Sequence, residues 1–534
     1  MGEVITMENT EQKIQELQDR CALQEQQIAE LTTKLKFYEE QFQLYKKSKF
    51  AKSSEASDQL QLQIFNEAEQ ESDLKAAEPE LETVTYKRKK QKGKREEQIK
   101  DLPVETVEYK LPAEEQICPC CQGPLHEMSV ETRQELKIIP AQASIVKHQR
   151  SVYSCRRCEQ QGDKTPVITA PMPKPPIAKS LASASAIAHI MTSKYADGMP
   201  LYRQEQSLKR LGIEISRQTM ANWMVKSAEC WFEPFYQRLH QLLLKRDILF
   251  ADETPLQVLH EDGRAAECKS YMWLYRTGPQ KAIILYDYQT TRANKHPLRF
   301  LKDFTGYMHV DGYQGYNNLP GITLVGCWSH ARRMYDKALS ALPKEKQNAD
   351  VAARKGLDFC NRLFALEREL KNLSAEERYH QRLKRGKPII DEYKKWLDYQ
   401  KPRVLPKSAF GSAVVYCLNQ WEKLNAYLSD GRLELDNNRA ERSIKPFVVG
   451  RKNWLFANRP CGAKASAMIY SLVETAKENG INPYMYLTFL LEQLPNIDVT
   501  DQDALDRLLP WSECLPPSCR AEKVDELPIS NLGG

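Results

Sequence analysis

The chain has 534 residues, of which 41% are hydrophobic, and this length predicts two to four domains with sizeable cores. Its formal net charge of +6 is mild, so the distribution of charge is more informative than the total. No window is apolar for long enough to span a membrane and no signal peptide opens the chain, which predicts a cytoplasmic protein without a membrane partner. In a reducing compartment the fourteen cysteines are expected to be thiols or metal ligands.

Residues 8–50 are predicted to form a coiled coil, because mostly apolar residues recur at two heptad positions over five heptads. Gln24 is the one polar residue of this seam and is a candidate for setting its register. The pattern predicts self-association of the protein. The alternative is a single amphipathic helix that folds onto the body of the chain.

Residues 51–110 are predicted to be a linker with an abrupt change of charge. Residues 51–85 carry nine acidic side chains and two basic ones, which is typical of a disordered or weakly helical segment. The run that follows, at 87–95, is strongly basic and is interpreted as a contact to the DNA backbone, with a merely solvated run as the alternative. The residues proposed for this contact are Lys87, Arg88, Lys89 and Lys90.

Residues 111–165 are predicted to be a zinc ribbon. Two CxxC pairs, separated by 33 residues with the character of short strands, can close a tetrahedral site of four thiolates around Zn²⁺. Cys120 makes the first pair ambiguous, although the two-residue spacing favours its neighbours. The alternative is four unligated thiols. The predicted zinc ligands are Cys118, Cys121, Cys155 and Cys158.

Residues 178–246 are predicted to be a helical DNA-binding region. Two helices at 201–211 and 217–224, with Gly212 in the turn and Ser216 as the cap of the second helix, have helix-turn-helix spacing. Arg217, at the start of the second helix, is a candidate DNA contact. Many helical hairpins share this spacing without touching DNA, and that alternative stays open.

Residues 247–340 change character, with five short β runs followed by a helix. Residues 341–430 are again helical and highly charged, and a capping box is predicted at Ser374 to Glu377. A short helix is predicted within 431–460, with Asp436 as its N-cap and Pro446 ending or kinking it. Residues 461–534 are predicted to be a C-terminal helical domain.

Three acidic residues have the sequence contexts of a metal site. Asp252 and Asp311 each end a predicted strand, and Glu441 lies about one turn into the short helix. Together they would supply hard oxygen ligands for Mg²⁺ or Mn²⁺, and two such ions could activate a hydroxyl for phosphoryl transfer. With 71 acidic residues in the chain, the alternative is that each aspartate is an ordinary turn or capping residue.

Several neighbouring residues are candidates for the same site. Cys327 and His330 are spaced as CxxH, and His330 is interpreted as an active-site residue that positions a phosphate or a carboxylate, or else as a packed histidine at a helix start. Trp454 is interpreted as a ring that stacks on distorted DNA, or else as a core residue. For Arg332 and Arg333 a solvated face is the alternative. The candidate phosphate contacts are Arg332, Arg333, Arg442, Arg451 and Lys452.

The chain resembles the transposases of the insertion sequence 66 family, which belong to the DDE group. The resemblance runs from the CxxC pairs to the C-terminus, in segments that begin at Asp252, Asp311, Gly326, Asp436 and Gly450, and ends with 470–477 and Leu508-Leu-Pro-Trp511.

This resemblance implies a multidomain α+β protein with a zinc-finger module and an RNase H-like α/β core. It implies that Asp252, Asp311 and Glu441 are the metal-binding acids, with Mg²⁺ or Mn²⁺ as the catalytic ions. It explains the 130 positions between Asp311 and Glu441 as a helical insertion into the core.

The predicted function is therefore that of a nucleoid-associated DNA transposase, which binds terminal inverted repeats, hydrolyses phosphodiester bonds and transfers strands to target DNA. Accessory proteins of the same element are possible partners. The alternatives are a non-catalytic DNA-binding regulator on a transposase scaffold and a related nuclease without strand transfer.

Overall fold

The structure, a computed structural model, describes residues 143–154, 167–342 and 351–520, together with Arg20, Gln24, Tyr38 and Glu39. Most of the predicted coiled coil, all of the linker with its basic run, and most of the predicted zinc ribbon lie outside the described residues. None of the helices in the described ranges is long and apolar enough to cross a membrane.

The chain divides into two compact units, one formed by Ser53–Ala170 and the other by Met1–Lys52 with Pro171–Gly534. In the first unit, strands β1 (Val152–Ser154) and β2 (Val167–Thr169) pair in an antiparallel ribbon. β1 lies between the two cysteine pairs, where short strands are predicted, whereas β2 lies just after the predicted zinc ribbon.

The second unit begins with four helices that cover the predicted DNA-binding region. The predicted pair of helices at its centre is confirmed. Gly212 adopts a φ of +78° in the turn, a conformation that a residue with a Cβ rarely adopts. Ser216 caps the next helix by accepting a hydrogen bond from the backbone N–H of Thr219 at 3.1 Å. The helices are α1 (Ala184–Tyr195), α2 (Leu201–Arg210), α3 (Arg217–Ser227) and α4 (Glu233–Leu244).

A five-stranded sheet forms the centre of this unit, with the spatial order β5-β4-β3-β6-β7. The first three strands in sequence are antiparallel neighbours, whereas β6 pairs parallel to β3 and β7 pairs parallel to β6. The five predicted β runs all correspond to strands. Their bounds are β3 (Ile248–Gln257), β4 (Lys269–Thr277), β5 (Ile284–Gln289), β6 (Gly306–Val310) and β7 (Ile322–Gly326).

The prediction that the first β run ends at Asp252 is wrong, because β3 continues to Gln257. The pairing with β4 extends along this whole strand, which supplies hydrogen-bond partners beyond the short apolar run. The pairing with β6 stops at Phe250, so within the described residues the other edge of β3 has no strand partner from Asp252 to Leu256. The aspartate therefore lies within a long strand, just past the end of its parallel neighbour.

The helices after α4 form two groups. The first group contains one short helix between β5 and β6 in sequence and the six helices that follow β7. In chain order they are α5 (Lys295–Phe300), α6 (Trp328–Ala341), α7 (Ala352–Glu369), α8 (Ala375–Gln381), α9 (Lys387–Gln400), α10 (Ala409–Asn419) and α11 (Trp421–Asn425). The predicted capping box at Ser374 and Glu377 is confirmed. The second group is α12 (Asn438–Trp454), α13 (Pro460–Glu478), α14 (Pro483–Gln493) and α15 (Gln502–Asp506).

Two hydrophobic clusters hold these layers together. The first contains most of the sheet and packs it against α1, α13 and α14. The second lies among α6, α7, α9 and α10, where aromatic residues such as Trp328, Tyr335 and Tyr393 are fully buried. The helices between β7 and α12 thus have a core of their own.

A buried arginine fixes the shape of this second cluster. Arg382, of which 1% of the side chain is exposed, forms a bidentate pair with Glu367 at 2.7 and 2.8 Å. It also donates to the carbonyl oxygens of Tyr427, Asp430 and Leu433, at 2.8 to 3.0 Å. One guanidinium therefore ties α7 to the segment that leads into α12.

We expect Arg382→Met to lower the free energy of unfolding of this region by about 3–5 kcal/mol, because the change leaves the partly buried Glu367 carboxylate without its partner. Urea denaturation followed by near-UV circular dichroism measures the loss. The matched control is Arg385→Met, which removes an exposed pair with Glu369 and should cost no more than about 1 kcal/mol. Equal effects of the two changes would contradict the role given to Arg382.

Candidate active site

Asp252 is the central acidic residue of the open edge of β3. Its Oδ1 accepts a hydrogen bond from the backbone N–H of Glu253 at 2.8 Å, which fixes the orientation of the carboxylate. Burial raises the pKa of Asp252 well above its usual range, and the charges of Glu253, Asp311 and Glu441 raise it further. The three predicted acids therefore lie close enough for their charges to interact.

Asp311 follows the last residue of β6 and reaches the same edge of the sheet. Its Oδ1 accepts from the backbone N–H of Tyr313 at 2.9 Å, and its carbonyl oxygen accepts from the hydroxyl of Tyr416 at 2.8 Å. The next residue, Gly312, has a φ of +106°, and a Cβ there would lie 3.2 Å from side-chain atoms of Tyr416 and Gln420. A glycine is thus required where the chain turns under α10.

Glu441 lies in the first turn of α12, and the start of this helix is fastened to β3. Asn437, whose side chain is fully buried, donates from Nδ2 to the carbonyl oxygen of Ala251 at 2.8 Å. Its backbone N–H donates to Sγ of Cys327 at 3.2 Å. The helix N-terminus is therefore held beside the residue that precedes Asp252.

The local prediction for this helix needs two corrections. The N-cap is Asn437 rather than Asp436, whose carboxylate instead accepts from the backbone N–H and the side chain of Asn438. Of the two alternatives predicted for Pro446, an end of the helix is wrong, because the helix continues to Trp454, and a kink stays a prediction. The buried residues on both sides of the proline, including Phe447, hold the helix in place although one backbone hydrogen bond is lost.

Cys327 and His330 come from the start of α6 and flank Glu441. Sulfur, imidazole and carboxylate atoms of these three residues all lie within 4.8 Å of one another, a spacing that a metal ion could bridge. The Nδ1 of His330 is 3.5 Å from Oε1 of Glu441. Cys327 is fully buried, and this burial raises the pKa of its thiol to about 12, so that it is protonated at neutral pH.

The two arginines that follow His330 are both held by protein groups. Arg333 donates from Nη2 to Oε1 of Glu441 at 2.5 Å, and Arg332 donates from Nε to Oδ1 of Asn361 at 2.8 Å. The sequence pattern suggested phosphate contacts for both residues. In the structure Arg333 instead neutralises part of the charge of the third acid.

Glu253 is a fourth acid of this region that the sequence reasoning did not single out. Strand alternation turns it away from the face of Asp252, and its side chain is 1% exposed. It forms an ion pair with Arg292 and accepts from the hydroxyl of Tyr316 at 2.5 Å. Burial nevertheless raises the pKa of Glu253 to about 7. The Asp-Glu dipeptide was the only sequence signal for it.

The remaining candidate DNA contacts lie on α3 and along α12. The guanidinium of Arg217 is 5.9 Å from the ring of Tyr202, and Arg442 is exposed. Arg451 is half-buried and donates to Oγ1 of Thr254 at 3.2 Å, on the face of β3 that also carries Asp252.

Trp454 and Lys452, near the end of α12, are both half-buried. The ring of Trp454 packs edge-on against Tyr195 and lies 3.9 Å from Nζ of Lys194.

Eight candidate site residues lie outside the described residues, so their placement stays a prediction. They are Lys87, Arg88, Lys89, Lys90, Cys118, Cys121, Cys155 and Cys158.

Comparison with protein families gives matches along most of the chain. The model of the Transposase IS66 family matches residues 179–465, just over half of the chain. The zinc-finger binding domain of transposase IS66 matches 115–159, and the IS66 C-terminal element matches 471–511. Residues 38–107 match a model described as transposase C of IS166 homeodomain.

Curated relatives include uncharacterised proteins of Sinorhizobium fredii. The protein y4jD is 32% identical over 416 residues, which cover 75% of this chain and 78% of that protein. The protein y4qI is 30% identical over 430 residues, which cover 76% of this chain and 75% of that protein. The similarity therefore spans most of both partners in each comparison.

The surroundings of His330 lead to a prediction about its protonation. Burial lowers the pKa of this imidazole, the charge of Arg333 lowers it further, and the charges of Glu441 and Asp311 oppose both effects. We expect a neutral imidazole at pH 7 and a higher pKa in Arg333→Gln, because the repelling cation is gone while both carboxylates remain. Titration of ¹⁵N-labelled histidine by NMR measures the change. Arg332→Gln is the control, and an equal shift in both variants would refute this account.

Proposed function

The chain belongs to the IS66 transposase family, and we propose that it binds the ends of an insertion sequence and catalyses metal-dependent cleavage and joining of DNA. The observation that carries this proposal is the meeting of Asp252, Asp311 and Glu441 at one edge of the sheet, where their charges act on one another. These acids come from β3, from the residue after β6 and from α12, and their proximity supports a single site.

The sheet supports an RNase H-like assignment for the catalytic core. Three antiparallel strands are followed by two parallel ones on the far side of β3, with helices packed against the sheet. The helices between β7 and α12 would then be an insertion, which accounts for the long spacing between the second and third acids. We assign the core to residues 247–340 and 431–460, with the insertion at 341–430.

The residues of the site fit divalent cations. Within the described ranges, neither Asp252 nor Asp311 forms an ion pair with a basic side chain, so backbone N–H groups are their direct protein partners. Carboxylate oxygens are the ligands that Mg²⁺ and Mn²⁺ prefer. Asp252, Asp311 and Glu441 would hold these ions. Two such ions, when bound, activate the attacking oxygen and stabilise the leaving oxygen of an in-line displacement.

The protein groups around the acids would orient them before DNA arrives. The backbone N–H groups of Glu253 and Tyr313 each hold one oxygen of an aspartate. Arg333 holds Oε1 of Glu441, and a neutral His330 beside it is available as a hydrogen-bond partner for a phosphate oxygen. Catalysis would then depend mainly on positioning and on electrostatic stabilisation.

Binding of the terminal repeats is assigned to several modules. The helix pair α2–α3 would carry Arg217 toward DNA, and the zinc ribbon with its four cysteine ligands would form a second contact. The basic run 87–95 would bind the phosphate backbone. Self-association through residues 8–50 would bring two ends together, with accessory proteins of the element as further partners.

We expect Asp252→Asn, Asp311→Asn and Glu441→Gln each to abolish Mg²⁺- or Mn²⁺-dependent cleavage of DNA that carries the element's end, because each change removes a charged oxygen ligand. DNA binding should survive, since these residues hold metal rather than phosphate. Cleavage of labelled end DNA, measured beside gel-shift binding, tests both statements.

The matched control is Asp398→Asn, which removes an exposed carboxylate paired with Lys394 on α9. This variant should cleave the end DNA at the wild-type rate. Near-normal cleavage by any of the three site variants would remove that residue from the site. Tight binding without cleavage in the wild-type protein, even with the element's accessory proteins added, would favour the regulatory alternative.

A separate prediction concerns zinc. Cys155→Ser should lose zinc and weaken binding to the element's ends, because three thiolates hold the ion less tightly than four. Zinc content measured by mass spectrometry of the purified protein checks the first part. The control is Cys461→Ser, which changes an exposed cysteine of α13, and this variant should have the same zinc content as the wild-type protein. Unchanged zinc content in Cys155→Ser would overturn the ribbon assignment.

A further inference from the structure

The end of α12 contains an unusual turn. Leu455 has a φ of +62° and a ψ of −47°, and the backbone N–H of Phe456 donates to the carbonyl oxygen of Trp454 at 2.7 Å. This combination is a γ-turn with positive φ, which is rare and strained for a residue with a side chain. Strained backbone of this kind is found most often where a side chain has a function.

The turn presents two large apolar side chains to solvent. Leu455 is 65% exposed and Phe456 is 43% exposed. The segment that follows is anchored, since Ala457 donates to the carbonyl oxygen of Gln257 at 2.9 Å and accepts from the backbone N–H of Leu259 at 3.0 Å. The two side chains are thus held outward by a fixed backbone, at a cost in both strain and exposed apolar surface.

The chain on both sides of the turn is rich in basic residues. Between Glu441 and Glu474 the sequence has no acidic residue over 32 positions, and it has six basic ones. Arg451 lies on the last turn of α12, and Lys194 lies over the ring of Trp454. In the described ranges neither cation forms an ion pair with a carboxylate. Burial also lowers the pKa of Lys194 to about 8, so an approaching phosphate would favour its charged form.

The position of the turn relative to the acids can be read along β3. Ala457 bridges in parallel to Val258, six residues beyond Asp252, so Leu455 lies level with the residues shortly before that bridge. At about 3.3 Å per residue, the bridge and the two residues before it are roughly 13–20 Å along the strand from Asp252. A DNA strand rises about 3.4 Å per nucleotide, so this distance corresponds to about four to six nucleotides.

We propose that Leu455 and Phe456 form a wedge that inserts between stacked bases of the element's end, about four to six nucleotides from the phosphate that is cut. This inference rests on the proposed function. Apolar side chains on a rigid turn are what unstacks a base step, and flanking cations hold the phosphates on either side. The basic residues on both sides of the turn favour DNA over a protein as the occupant.

The test uses the full-length protein and duplex DNA of the element's end, in which 2-aminopurine replaces one base at a time on both sides of the cleavage position. The fluorescence of this base rises when it is unstacked. We expect a maximum four to six nucleotides from the cut in the wild-type protein, and its loss in the double variant Leu455→Gly, Phe456→Ala. That variant should also lose, by about tenfold, any preference for ends with unpaired bases at that step.

Glycine accepts a positive φ without strain, so Leu455→Gly alone should keep or raise the thermal midpoint while it weakens the fluorescence signal. Leu383→Ala, which shortens an exposed leucine of the helical insertion, is the matched control and should leave the signal unchanged. Loss of signal with an undiminished thermal midpoint distinguishes a wedge from a structural turn.

Two results would overturn the wedge. One is cleavage of the end by the wild-type protein with no fluorescence rise at any position, and the other is an equal rise in the double variant. Absence of both cleavage and end binding in the wild-type protein would instead contradict the proposed function, so the two failures are distinguishable.

Discussion

The attachment of the N-terminus of α12 to β3 is the constraint on which the candidate site depends. Asn437 reaches the backbone of Ala251 with its buried side chain and thereby brings Glu441 close enough to Asp252 for their charges to interact, although 189 positions separate the two acids in sequence. Asn437 is fully buried, so its side chain serves this attachment and is not accessible at the surface. A helix end bonded to a strand in this way is rigid, and rigidity is what a set of metal ligands requires.

This arrangement concentrates negative charge where the protein offers little to balance it. Burial and mutual repulsion oppose ionisation of Asp252, and within the described residues only Glu441 of the three acids has a basic side chain as a direct partner. Such a cluster is unfavourable for the protein alone and becomes favourable when cations are bound. The raised pKa of the aspartate and the proposed affinity for metal would thus have the same electrostatic origin.

The regions around the core follow a similar balance between stability and function. The helices after β7 have their own aromatic core and a buried arginine that fastens them to the segment before α12, so a long insertion does not loosen the site. The turn at Leu455 is the opposite case, where a strained backbone and exposed apolar side chains are retained. Strain that persists in an otherwise well-packed region is more easily explained by binding than by folding.

The sequence by itself determined the elements and the family. Alternation and capping signals located the five strands, the helix pair around Gly212 and the capping box at Ser374, because these depend on neighbours in the chain. The sequence alone could not determine that β3 runs past Asp252 or that Asn437 rather than Asp436 caps α12. It also could not determine that Glu253 and Arg333 form ion pairs near the acids. Those features depend on strand pairing and on contacts between residues that lie 39 to 186 positions apart in the sequence, which only the tertiary structure brings together.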